Sequence, residues 1–170
     1  VAVDSNGDVI VTGYASEGVN GLKDIITIKY DGTDGTVLWQ VPYNNSGNDG
    51  DDYPFALAID SLNNIYIAGK TQGSGGDDDG LLLKYSPDGA NPDGTPIWVT
   101  TYDGSGTARN DQWVSVAAGT NGIAVTGKTD IAATDPANFN IITMLYNLDS
   151  TNGWAAPIVY DSGFDGDRGL

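Results

Sequence analysis

Residues 122–129 read Gly-Ile-Ala-Val-Thr-Gly-Lys-Thr, which satisfies the pattern G-x-x-x-x-G-K-[ST] letter for letter. A phosphate-binding loop follows a strand, opens a helix, and keeps its inner residues small so that backbone N–H groups wrap the phosphates. Here the inner residues Ile123, Ala124, Val125 and Thr126 read as the middle of a strand, and no helix-period segment follows. Two earlier segments line up with this one: VAVDSNGDVIVTGYAS from Val1 and LAIDSLNNIYIAGKTQ from Leu57, beside SVAAGTNGIAVTGKTD from Ser115. Gly13, Gly69 and Gly127 coincide, while the first glycine of the pattern becomes Gly7 or Asn64 and the lysine becomes Tyr14 or Lys70. A nucleotide loop has no reason to recur in this way. The stretch is therefore the third copy of a strand-plus-glycine unit, and no nucleotide cofactor is expected.

The remainder of the unit repeats as well, with a period of about 57 residues. DIITIKYDGTDG (24–35), DGLLLKYSPDGANPDG (79–94) and NIITMLYNLDSTNG (140–153) bring Tyr30, Tyr85 and Tyr146 into line. VLWQVPY (37–43), PIWVTTY (96–102) and APIVY (156–160) follow, ending at Tyr43, Tyr102 and Tyr160. Each unit thus offers four short apolar segments punctuated by Asn, Asp, Gly and Pro, the pattern of successive antiparallel strands. Four strands per unit is the organisation of a propeller blade. The expected fold is all-β and β-propeller-like, with three four-stranded antiparallel blades at 1–55, 56–113 and 114–170 forming an incomplete ring. Trp39 and Trp98 precede Tyr43 and Tyr102 at the same distance, whereas Trp154 stands further from Tyr160. Equivalent aromatics are expected to pack between blades. In this alignment Trp113 matches Phe55 and is expected in the core, and Ala118 stands where the other copies have Asp4 and Asp60.

Composition narrows the chemistry. The 170 residues carry 7 basic and 23 acidic side chains, a formal charge of −16, which argues against nucleic acid or an anionic membrane surface as partner. Glu17 is the one glutamate among the acids, and the many aspartates with 24 glycines point to turns. Cysteine and histidine are absent, which removes thiol nucleophiles, disulfides, Ser-His triads and zinc sites built on Cys or His. The apolar runs are too short for a membrane span. The chain opens at Val1 with no signal-like segment, which suggests a piece of something longer.

These residues resemble the SBBP β-propeller repeats of bacterial and archaeal secreted or surface proteins. The resemblance is carried by Ala58-Ile59-Asp60, Asn64-Ile65-Tyr66-Ile67-Ala68-Gly69-Lys70-Thr71, Asp79 through Gly89, and Trp98-Val99-Thr100-Thr101-Tyr102. It covers nearly the whole chain, departing at Ala118 and at the insertion Ala90–Pro92. It implies a propeller fold in an extracellular or cell-surface setting and brings no catalytic residues with it.

Two kinds of candidate site stand out. Asp4-x-Asn6-x-Asp8 has the carboxylate–amide–carboxylate spacing that opens many calcium loops, without the glycine and distal glutamate of an EF-hand. A plain β-turn is the simpler reading of it. The stretches GNDGDDY (47–53), GGDDDG (75–80) and DGDRG (165–169) crowd carboxylates, among them Asp49, Asp51, Asp52, Asp77, Asp78 and Asp79. Ca²⁺ with oxygen ligands would relieve their repulsion, and solvated acidic loops are the alternative. Asn44-Asn45-Ser46 is an N-x-[ST] sequon, relevant in a glycosylating host. Three blades fall short of the four to eight of a closed propeller, so the expected partner is self: a homo-oligomer, a filament or a longer repeat array. The expected function is a non-enzymatic, calcium-stabilised, self-associating scaffold. The alternative is a calcium-dependent carbohydrate-binding or polysaccharide-processing module with a glycan partner.

Overall fold

The computed structural model describes residues 1–16, 21–45, 50–73, 75–104, 110–130 and 139–160. The strands are β1 (Ala2–Val3), β2 (Val9–Ser16), β3 (Lys23–Tyr30), β4 (Val37–Tyr43), β5 (Tyr53–Ile59), β6 (Ile65–Gln72), β7 (Asp78–Tyr85), β8 (Trp98–Tyr102), β9 (Asp111–Ala118), β10 (Ile123–Asp130), β11 (Phe139–Tyr146) and β12 (Ile158–Tyr160). They form three separate four-stranded antiparallel sheets in the orders β1-β2-β3-β4, β5-β6-β7-β8 and β12-β11-β10-β9. No helix occurs among the described residues. The expected all-β blades are present, and no sheet closes on itself. Residues 123–130 are strand throughout, paired on both sides. An extended, doubly paired backbone has its N–H groups committed to the ladder and cannot cradle a phosphate.

The blade divisions shift relative to the sequence reading. The breaks at 55/56 and 113/114 fall inside β5 and β9, because Tyr53 pairs with Lys70 and Asp111 pairs with Thr129. The third copy is also one residue out of step before its first hairpin. Asp4 and Asp60 close identical turns, Asp4 N–H to Asp8 O and Asp60 N–H to Asn64 O, with Gly7 and Asn63 both at positive φ. The shorter third turn is closed by Gly119 N–H to Gly122 O. Gly119, and not Ala118, therefore holds the place of the two aspartates. For the same reason Trp113, opposite Gly127, corresponds to Pro54, opposite Gly69, and not to Phe55. Trp113 is a core residue at 1% exposure as expected, while Phe55 is exposed.

Burial divides into two layers between neighbouring blades. Ile10, Ile25, Val41 and Tyr43 of the first blade pack on Ile65, Ile67, Leu81, Leu83 and Tyr85 of the second. Tyr66, Ala68 and Leu82, on the other side of the second blade, pack on Ile123, Val125, Ile142, Met144 and Tyr146 of the third, with Trp113 among them. Each aliphatic side chain buried this way stabilises the fold by roughly 1.5–3 kcal/mol.

One polar device recurs at both layers. Trp39 Nε1 and Lys29 Nζ donate to the carbonyl of Pro87 at 3.1 and 3.4 Å, and Trp98 Nε1 and Lys84 Nζ donate to that of Leu148 at 3.2 and 3.3 Å. A Trp and a Lys that sit opposite each other on adjacent strands thus grip a turn of the next blade. Trp154 lies outside this scheme and is exposed.

Candidate functional site

The aspartates found by pattern divide into three environments. Asp4 and Asp8 do not frame a vacant cation loop. The Asp4 Oδ1 accepts the N–H groups of Asn6 and Asp8 at 2.9 and 3.0 Å, so Asn6 enters through its backbone. The Lys29 ammonium lies between the two carboxylates, 2.8 Å from Asp4 Oδ2 and 3.1 Å from Asp8 Oδ2. A protein cation occupies the place assigned to calcium. Asp60 builds the same turn and closes its second oxygen on Asn64 Nδ2 and Tyr66 OH.

The Asp51 carboxylate receives Lys23 N–H, Lys23 Nζ and Tyr53 OH at 3.0, 3.3 and 3.0 Å. Its neighbour Asp52 is fully buried, takes the Asn45 N–H at 3.0 Å on one oxygen and has no hydrogen-bond partner for Oδ1 among the described residues. Burial pushes the Asp52 carboxyl above its ordinary value, against the pull of Thr71 and the Asn45 N–H. Asp49, Ser46 of the sequon and the 165–169 stretch lie outside the described residues.

The third environment is where carboxylates converge. One oxygen each from Asp77, Asp79 and Asp103 falls within 4.8 Å of the others, at the rim where the chain leaves β8. Asp78 points elsewhere, to Lys70 Nζ at 2.6 Å. Asp111, the first residue of β9, is 1% exposed; its Oδ2 accepts the Gly104 N–H at 2.7 Å and its Oδ1 has no hydrogen-bond partner among the described residues. Burial first, then the charges of Asp103, Asp77, Asp111 and Asp78, push the Asp79 carboxyl up to about 6. Asp103 and Asp111 escaped the sequence reading because each stands alone in its stretch. Their signal was positional: Tyr43 to Asp52 and Tyr102 to Asp111 span equal distances.

A group whose folded pKa lies above its unfolded one stabilises the fold when protonated. The stability linked to Asp79 is therefore fully present below the ordinary 3.8 and is lost as pH rises through about 6. Allowing for solvent screening, roughly 1–2 kcal/mol is at stake. In chelator, Asp79→Asn should raise stability at pH 7 by that amount and leave it unchanged near pH 4, read as the variant-minus-native difference in urea unfolding free energy across pH. Equal differences at both pH values would remove the like-charge account.

A shallow groove of about 360 Å³ runs elsewhere, lined by Asn44, Asn45, Pro96 and Trp98 among others. Its lining offers amides and the rings of Tyr43 and Trp98 and no carboxylate, so it lacks the paired acids of glycoside hydrolysis.

Residues 46–77 match the family model described as Beta-propeller repeat, SBBP. The match takes in β5 and β6, and the chain carries an SBBP-type repeat there. No curated protein matches the chain.

Proposed function

We propose that the chain is a non-enzymatic scaffold module of an extracellular or surface protein, which works by stacking blades against further blades, a second copy of itself included. The observation that carries this reading is the Trp–Lys grip, repeated between the first and second blades and between the second and third. The third blade has Leu145 and Ala156 at the places of that Lys and Trp, so a second copy would reach the first blade without the grip, through the apolar face the first blade leaves open. That face carries Val3 and Val11 at 61% and 36% exposure, on the side of β2 opposite the buried Ile10. Apolar sheet surface of this kind favours a cover.

Light scattering tests the reading. The expected mass at tens of micromolar exceeds the 17.7 kDa of one chain, more so in high salt, which screens the self-repulsion of a net charge of −16. Val11→Asp should return the mass toward one chain. A monomer at every concentration and salt would refute self-association through this face.

A further inference from the structure

We propose that Asp77, Asp79, Asp103 and Asp111 form a site for one hard divalent cation of the calcium class at the rim between the second and third blades. Three of these side chains place an oxygen within a common 4.8 Å. The fourth supplies an independent observation: Asp111 is 1% exposed and its Oδ1 has no hydrogen-bond partner among the described residues, a state it shares with Asp52 of the other joint, so the two further carboxylates are what set this joint apart. Gly104, whose N–H fixes the other Asp111 oxygen, follows Asp103 directly, so the loop that positions one ligand also positions the next. Asp79 brings a second buried oxygen with no hydrogen-bond partner among the described residues. Leaving charged oxygens dry and unpaired is costly, and a multiply charged ion with oxygen preference removes that cost.

The corresponding place between the first and second blades makes the comparison. There Asp24 and Asp52 stand where Asp79 and Asp111 stand, judged by their pairing and turn contacts, but Asn44 replaces Asp103 and Leu22 replaces Asp77. Half the carboxylates are gone, and the nearby Asp51 is already held by Lys23 and Tyr53. Cation binding should therefore be confined to one joint of the chain. The site stands apart from the self-association proposed above, since every ligand comes from one chain.

Calorimetric titration of CaCl₂ into the full chain after chelator treatment should give saturable binding of one Ca²⁺ per chain, with Kd on the order of 10⁻⁴–10⁻³ M, the range of extracellular modules. Asp79→Asn with Asp111→Asn should weaken it at least tenfold, and Asp24→Asn with Asp52→Asn should leave it within about twofold. Terbium provides a readout that needs no variant. Trp113 packs on Gly80 and Tyr102 beside the site, so excitation of these rings should sensitise Tb³⁺ emission, and Ca²⁺ should quench it by displacement. No saturable binding, or equal weakening by both pairs of substitutions, overturns the proposal.

Discussion

Replacing Lys29 with methionine should cost about 3–5 kcal/mol, the usual penalty for removing one partner of a buried ion group. Lys29 keeps a nearly buried side chain between Asp4 and Asp8 and also reaches the Pro87 carbonyl of the next blade. Burial works against charging Asp4, yet Lys29 and the N–H groups of Asp8 and Asn6 outweigh it and hold the carboxyl below its ordinary value. Lys29 shows the mirror image: burial opposes its charge, and Asp4 and Asp8 hold its pKa up. The methionine leaves two carboxylates facing each other over an apolar chain, with the joint between blades weakened at the same time. Urea unfolding would read the change directly, and a thermal midpoint would fall by roughly 10 °C for a domain of this size. Lys84→Met is the comparison. Lys84 touches the Leu148 carbonyl and the Tyr66 ring and, among the described residues, no carboxylate, so its loss should cost about 1 kcal/mol. Equal costs at the two lysines would mean that the triad is as well solvated as a surface pair. Adding Asp4→Asn and Asp8→Asn to Lys29→Met should recover much of the loss, because it is the stranded charges that destabilise.

What the sequence reveals about this protein follows from what repetition can carry. Blade number, strand order and the aromatic joints are legible because three copies must solve one packing problem, so Gly13, Gly69 and Gly127 or Trp39 and Trp98 recur at matching places. A one-residue change in turn length breaks that correspondence locally. It shifted Asp4 and Asp60 onto Ala118 when the turn belongs to Gly119, and Trp113 onto Phe55 when it belongs with Pro54. Charge clusters were the least legible feature. Asp4-Asn6-Asp8 has ligand spacing, but the cation it faces is Lys29, which lies across a sheet and far along the chain. Conversely, Asp103 and Asp111 belong to different blades, and only the crossing of the rim brings them near Asp77 and Asp79. Local pattern shows which groups are present, and long-range pairing decides which of them meet.

Gly127, the glycine that gives residues 122–129 their nucleotide-loop look, and its counterpart Gly69 should prove far more sensitive than the third counterpart, Gly13. Gly127 lies where β10 meets a bulge in β9, with register slipping between Thr126 and Gly127. Two residues of β9 there oppose one of β10, and a Gln112 carbonyl is driven against the Gly127 Cα. A methyl group would overlap that oxygen and stand 2.9 Å from Trp113 Cα. Both obstacles are backbone, so Gly127→Ala must open the bulge and displace Trp113 from its place between Tyr102 and Tyr146. Overpacking on that scale should cost about 3 kcal/mol or more, with a loss of near-ultraviolet ellipticity as the tryptophan loosens. Gly69→Ala should do the same, since the Tyr53 carbonyl and Pro54 Cα, 3.0 Å away, crowd it across the equivalent bulge. Gly13 provides the contrast. Strand β1 comprises Ala2–Val3, paired with Ile10 and Val9, and no atom lies within 4 Å of a methyl group placed at Gly13. Gly13→Ala should be neutral or stabilise by about 0.5 kcal/mol through the unfolded chain. A similar loss at all three positions would mean that these glycines serve a backbone torsion and not the close approach of a carbonyl. A large loss at Gly69 and Gly127 alone would show that the motif's second glycine makes room for a neighbouring strand and not for a phosphate.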